Sequence, residues 1–188
     1  MTRSIRVAGW GTLPDGSTVT WTVSEGRRGR RWREVVSRGT AVVHALLLET
    51  DPDGRFSHLE LARADGLWTF HPERDGSLHG NHVGGREPGV RHVAGWPFAA
   101  DDAVIVDGSP LSLAATAWHR ATSIDPGGRA DLAGVVIRSD AEPQGVERVR
   151  LRRLSATRWQ VGEGSPFDLD EAGLPVLVEG ARRPLELA

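Results

Sequence analysis

The chain has no cysteine, no lysine and no tyrosine among its 188 residues. Without cysteine there is no disulfide, no thiol nucleophile, no cysteine-ligated zinc and no iron–sulfur cluster. Without lysine there is no Schiff-base lysine and no lysine-dependent phosphate loop, and all 23 basic side chains are arginine. Long apolar runs are missing too. The longest, around 41–48, is interrupted by His44 and falls far below the ~20 residues that span a bilayer. The opening Met1-Thr-Arg-Ser-Ile-Arg-Val has no apolar signal-peptide core, so a soluble cytoplasmic protein is expected. The Gly-x-Ser-x-Gly elbow, His-Glu-x-x-His, the Walker loop and the dinucleotide fingerprint do not occur. No catalytic residue, cofactor or metal site is therefore expected, and the chain reads more as a binder than as an enzyme.

What is present suits one folded domain over residues 1–188. Hydrophobic residues make up 39% and charged residues 26%, enough for a sizeable core. The 23 glycines and the missing lysine resemble the coding bias of a GC-rich bacterial genome. Seven tryptophans against four phenylalanines is a high ratio, and tryptophan serves both cores and platforms for apolar ligands. The net charge of −2 is uneven: residues 1–40 carry eight arginines and three acids, and the remainder fifteen and twenty-two. The basic excess centres on Arg27-Arg28-Gly29-Arg30-Arg31-Trp32-Arg33. Such a cluster suits carboxylate or phosphate groups; the plainer reading is a solvated basic loop entering a strand, with Trp32 packed inward. The chain is acidic overall and shows no nucleic-acid module, so nucleic acid is not an expected partner.

Asp-Gly recurs at 15–16, 53–54, 65–66, 75–76 and 107–108. The dipeptide tolerates the positive φ of tight hairpin turns, and the spacing suggests an antiparallel meander. Alternation agrees. Val19, Trp21 and Val23 share one face of a strand and Thr18, Thr20 and Thr22 the other; Arg148, Arg150 and Arg152 alternate with Val149 and Leu151. Ser109-Pro110 reads as an N-cap with proline at the first helical position, and the cations of Trp118-His119-Arg120 fall at the end, predicting a short helix over 109–120. A final strand is expected near Pro175–Val178.

Reading Asp65-Gly66 and Asp75-Gly76 as two-residue loops sets a register. Glu60 then opposes His71, Phe70 opposes Asn81, and His71 opposes Gly80. One face carries Leu59, Leu61, Trp68, Phe70 and Val83; the other carries Glu60, Ala62, Thr69, His71 and His82. The second face is either a solvent-facing surface with a cross-strand pair or the polar wall of a pocket. His79 and His82 fall on opposite faces and cannot chelate together.

Three stretches resemble a bacterial family named for glycolipid binding. They are Asp107-Gly108-Ser109-Pro110-Leu111 with Trp118-His119-Arg120, then Arg158-Trp159-Gln160-Val161, and Phe167-Asp-Leu-Asp-Glu-Ala-Gly-Leu174; together they lie in 107–120 and 158–180. The resemblance implies a curled antiparallel sheet around an elongated cavity.

The expected fold is all-β: a strongly curved antiparallel sheet forming a β-roll or incomplete barrel, with one short helix. The expected function is non-enzymatic binding of an amphipathic small molecule, a glycolipid or lipid-like ligand, in a concave β-sheet cavity. Trp21, Trp32, Trp68 and Trp96 are the candidate walls; Arg30, Arg33, Glu60 and His71 are the candidate polar anchors. The alternative is a protein-interaction or structural β module whose tryptophans are plain core.

Overall fold

The structure, a computed structural model, describes residues 5–84, 89–138, 142–176 and 182–184. Alternation governs the first half. β1 (Ile5–Thr12), β2 (Thr18–Gly26), β3 (Gly29–Arg38), β4 (Ala41–Thr50), β5 (Phe56–Arg63), β6 (Gly66–Pro72), β7 (Ser77–Gly84) and β8 (Arg91–Pro97) follow one another as an antiparallel meander. The sheet gains a ninth strand where β15 (Arg182–Pro184) pairs with β1. Every second residue of β2–β6 is buried: Val19, Trp21, Val23, Trp32, Val36, Leu46, Leu48, Leu59, Leu61, Trp68 and Phe70 form the inner face. Close packing there constrains even β1. A methyl group on Gly9 would lie 2.4 Å from the Trp21 indole, so only glycine lets this ring lie flat against its neighbour strand.

The second half builds the opposite layer. β9 (Ala103–Val106), β10 (Arg129–Ile137), β11 (Val146–Arg153), β12 (Arg158–Val161), β13 (Phe167–Leu169) and β14 (Pro175–Val176) form a six-stranded sheet that curls as a half-barrel. Between β9 and β10 runs the helix α1 (Pro110–Arg120). It starts as its sequence predicts: the Ser109 hydroxyl accepts the backbone N–H of Ser112, proline occupies the first turn, and His119 and Arg120 end it. Because α1 serves as a crossover, β9 and β10 pair in parallel, the one departure from an antiparallel arrangement. The helix buries Leu111, Ala114, Ala115 and Ala117 against both layers, and one apolar cluster runs through the two sheets and the helix.

The all-β, strongly curved, largely antiparallel fold with one short helix is as expected, divided between two sheets. No helix among the described residues is long and apolar enough to cross a membrane. The expected strand at 175–178 is present as β14; residues 177 and 178 lie outside the described residues.

Two hairpin registers differ from expectation. The β5–β6 loop is Ala64-Asp65, with Arg63 opposite Gly66, so Glu60 opposes Thr69 and not His71. The shift is even and preserves the faces. The β6–β7 loop has three residues, Arg74-Asp75-Gly76: the Glu73 N–H donates to Ser77 O, and Gly76 takes a φ of 80°. Three-residue loops of this kind end in a left-handed residue, which glycine supplies without strain. Their odd length changes parity. His82 therefore opposes Trp68 and stacks on it at 4.1 Å on the inner face, while Val83 turns outward. His79 faces outward beside its cross-strand partner His71, so His79 and His82 do lie on opposite faces.

Candidate functional site

Among the described residues no layer covers the centre of the nine-stranded sheet's outer face, and its residues fall into three rows across the strands. The first row reads Trp10, Thr20, Val35, Ala45, Ala62, Leu67 and Val83 from β1 to β7. Apart from Thr20 it is wholly apolar, and Trp10 is 49% exposed. The second row reads Ala8, Thr22, Arg33, Leu47, Glu60, Thr69 and Asn81. The third carries Arg6, Ser24, Arg31, Glu49 and His58. Next to His58 on the same face are His71 and His79. Successive rows are two residues apart along each strand, or roughly 7 Å. The face thus grades from apolar to charged over about 14 Å.

The first two rows border a shallow, solvent-open hollow of about 570 Å³, lined from Ala8 of β1 to Leu67 of β6. Its floor is Val35, Ala45, Leu47, Ala62 and Leu67; its polar groups are Thr20, Thr22, Arg33 and Glu60. A small molecule in it would lie across an open face and not inside an enclosed cleft. A second depression, at the end of α1 beside Asp101, Thr116, His119 and Arg120, is about 30 Å³ and has room for a water.

Polar side chains on the outer face are mostly engaged. Arg31 donates to Glu49 at 2.5 Å, Glu60 bonds the His58 imidazole at 3.1 Å, and Glu73 bonds His71 at 3.0 Å. His79 packs between His71 and His92, with ring centroids 5.4 and 5.2 Å apart. No three His, Asp or Glu side chains among the described residues are arranged to hold a metal ion. Arg33 makes no hydrogen bond or ion pair among the described residues.

Of the residues singled out in the sequence, Arg33 and Glu60 line the hollow. His71 lies on the same face but bonds Glu73, not Glu60. The tryptophans face the other way. Trp32 and Trp68 are core residues, 0% and 2% exposed, and the Trp21 ring is buried over Gly9. Trp96, on β8, stacks on Phe70 at 6.4 Å on the inner side. Arg30 is also inward: it pairs with Glu25, donates to Ala172 O at 2.8 Å, and lies between the Trp32 and Trp118 rings at 5.1 and 4.8 Å. It clamps β3 to the loop before β14 rather than facing solvent. Strand alternation divides the basic cluster, sending Arg30 to the core and Arg31 and Arg33 outward.

One polar group went unread in the sequence. Glu34, 2% exposed, lies on the inner face between Trp32 and Val36. Its Oε1 is 2.9 Å from the His44 Nε2, and its Oε2 accepts the Leu111 N–H at 3.1 Å, in the first turn of α1. The pair ties β3, β4 and the helix start together, and the positive end of the helix favours the carboxylate. The signal was present: an acid in phase with Trp32 and Val36, and a histidine breaking the apolar run 41–48.

No protein-family model and no curated protein matches the chain. Among solved structures, it is similar to a DUF1089 family protein from Pseudomonas aeruginosa at 18% identity, with a TM-score of 0.46, covering 93% of this chain and 88% of that one.

Proposed function

We propose that this protein binds an amphipathic small molecule, non-enzymatically, on the outer face of its nine-stranded sheet. The observation that carries the reading is the solvent-open hollow of about 570 Å³ whose apolar floor passes into Thr22, Arg33 and Glu60. An apolar tail laid over Val35, Ala45, Ala62 and Leu67 leaves a polar head beside Thr22, Arg33 and Glu60. Apolar walls with a few placed polar groups are what such sites require. The polar groups at the edge of the floor are Thr22, Arg33 and Glu60; the floor itself is aliphatic, in place of the tryptophan walls expected from the sequence. The resemblance of residues 107–120 and 158–180 to a family named for glycolipid binding is in keeping with such a ligand.

The test is a thermal-shift titration with single-chain amphiphiles below their micelle concentrations, run on the wild-type protein and on Leu47→Asn. Saturable stabilisation of the wild type, weakened in the variant, is expected, because a ligand that binds only the folded state raises Tm by mass action. Absence of stabilisation by any amphiphile overturns the reading.

A further inference from the structure

The charges of the outer face do not cancel in place. On β4, on β5 and directly after β6 its acids are each engaged: Glu49 by Arg31, Glu60 by His58 and Glu73 by His71. On β1 and β3, Arg6 and Arg33 have no hydrogen-bond or ion-pair partner among the described residues. Arg33 is the cation that lines the hollow, directly opposite Thr22 on β2 and Leu47 on β4. Directly opposed side chains on one face lie ~4.5–5.5 Å apart at Cβ, so Thr22 and Arg33 are neighbours along the same stretch of the hollow's lining.

Resting on the amphiphile reading above, we infer that the ligand is acidic: a single-chain amphiphile whose carboxylate or phosphate head is held by Arg33 with Thr22. The guanidinium offers a planar fork of donors that matches both head groups, and charge-assisted bonds of this kind are about twice as strong as neutral ones. A free arginine fork beside an aliphatic floor is poorly used by a neutral head. It repels a cationic one. Glu60, two strands away across Leu47, is the acid nearest the head in the same row, and its bond to His58 draws it toward the third row and away from Arg33.

The experiment measures binding of four C12 probes below their micelle concentrations by isothermal titration calorimetry: dodecanoate, dodecyl phosphate, dodecyl maltoside and dodecyltrimethylammonium. Wild type, Arg33→Gln, Arg33→Lys and Glu60→Gln are compared, with circular dichroism confirming that each is folded. The expected result is that wild type prefers the two acidic probes over the maltoside by about tenfold or more, the worth of one hydrogen bond to a charged group. Arg33→Gln should remove that preference, lowering affinity for the two acidic probes by about tenfold or more and for the maltoside by less; Arg33→Lys should restore part of it; Glu60→Gln should keep or increase it. Dodecanoate and dodecyl phosphate together separate a carboxylate preference from a phosphate preference. Equal affinity for all probes, or an acid preference that survives Arg33→Gln, overturns the inference while leaving the amphiphile site standing. Failure of every probe to bind overturns the amphiphile site and this inference with it.

Discussion

The nine-stranded sheet carries glutamate–histidine pairs on both faces, and Glu34–His44 inside and Glu60–His58 outside do different work. Glu34 and His44 sit on neighbouring strands in the core, where the carboxyl also receives the Leu111 N–H. Glu60 and His58 lie two residues apart on one strand, with side chains 48% and 29% exposed, at the edge of the hollow. Residue type alone distinguishes neither pair. What differs is the surrounding solvent: a buried polar group must be matched in place, whereas an exposed one can exchange its partner for water or for a ligand. The inner pair is therefore committed to holding α1 on the sheet, whereas on the outer face the Glu60–His58 pair can exchange with solvent and Arg33, in the lining of the hollow, has no hydrogen-bond or ion-pair partner among the described residues.

The largest expected effect comes from breaking the buried pair. Glu34→Ala leaves the Leu111 N–H and the His44 ring unmatched in the core, and should cost about 3 kcal/mol or more in urea unfolding. A double replacement, Glu34→Leu with His44→Leu, should recover part of that loss, because removing both polar partners is less harmful than removing one. Next is Gly9→Ala, which drives a methyl group into the Trp21 ring and should destabilise by about 1–3 kcal/mol, read in the same way. On the outer face, Glu60→Ala should change stability by no more than ~1 kcal/mol, since exposed pairs contribute little. If it cost as much as Glu34→Ala, the contrast between the faces would be lost.

The smallest effect is expected at the hairpin turns. The hydroxyl and backbone N–H of Ser77 bond the Asp75 carboxylate and hold its pKa below the ordinary 3.8. A depressed folded pKa means stability that is present above 3.8 and lost as pH falls through the folded value. Acid titration of Tm should therefore show a slightly steeper decline below about pH 4 in the wild type than in Asp75→Asn.

These contrasts also explain what the sequence made legible. Strand β2 was readable because Val19, Trp21 and Val23 alternate with threonines, and α1 because Ser109-Pro110 is a cap with a mechanism. The registers of β5–β7 were less so, since Asp-Gly serves several turn geometries. At 75–76 it closes a three-residue loop, and that extra residue reverses the face of His82. The site was half-legible. Arg33 and Glu60 line the hollow, while the tryptophans expected as its walls face the core, because aromatic content says nothing about which face a strand turns to solvent. The aliphatic floor spans four strands, from Val35 on β3 and Ala45 and Leu47 on β4 to Ala62 on β5 and Leu67 on β6, with Thr20 and Thr22 beside it on β2, so it becomes visible only once every register is known.

The central claim is that the outer face, and not the core, receives a ligand. The direct measurement is an amide chemical-shift titration of the isotopically labelled protein with dodecanoate. The account predicts saturable shifts at Ala8, Thr22, Arg33, Leu47, Glu60, Ala62 and Leu67, with α1 and β11 unmoved. Shifts confined to α1 and β9–β11, or no saturable shift at all, would contradict it.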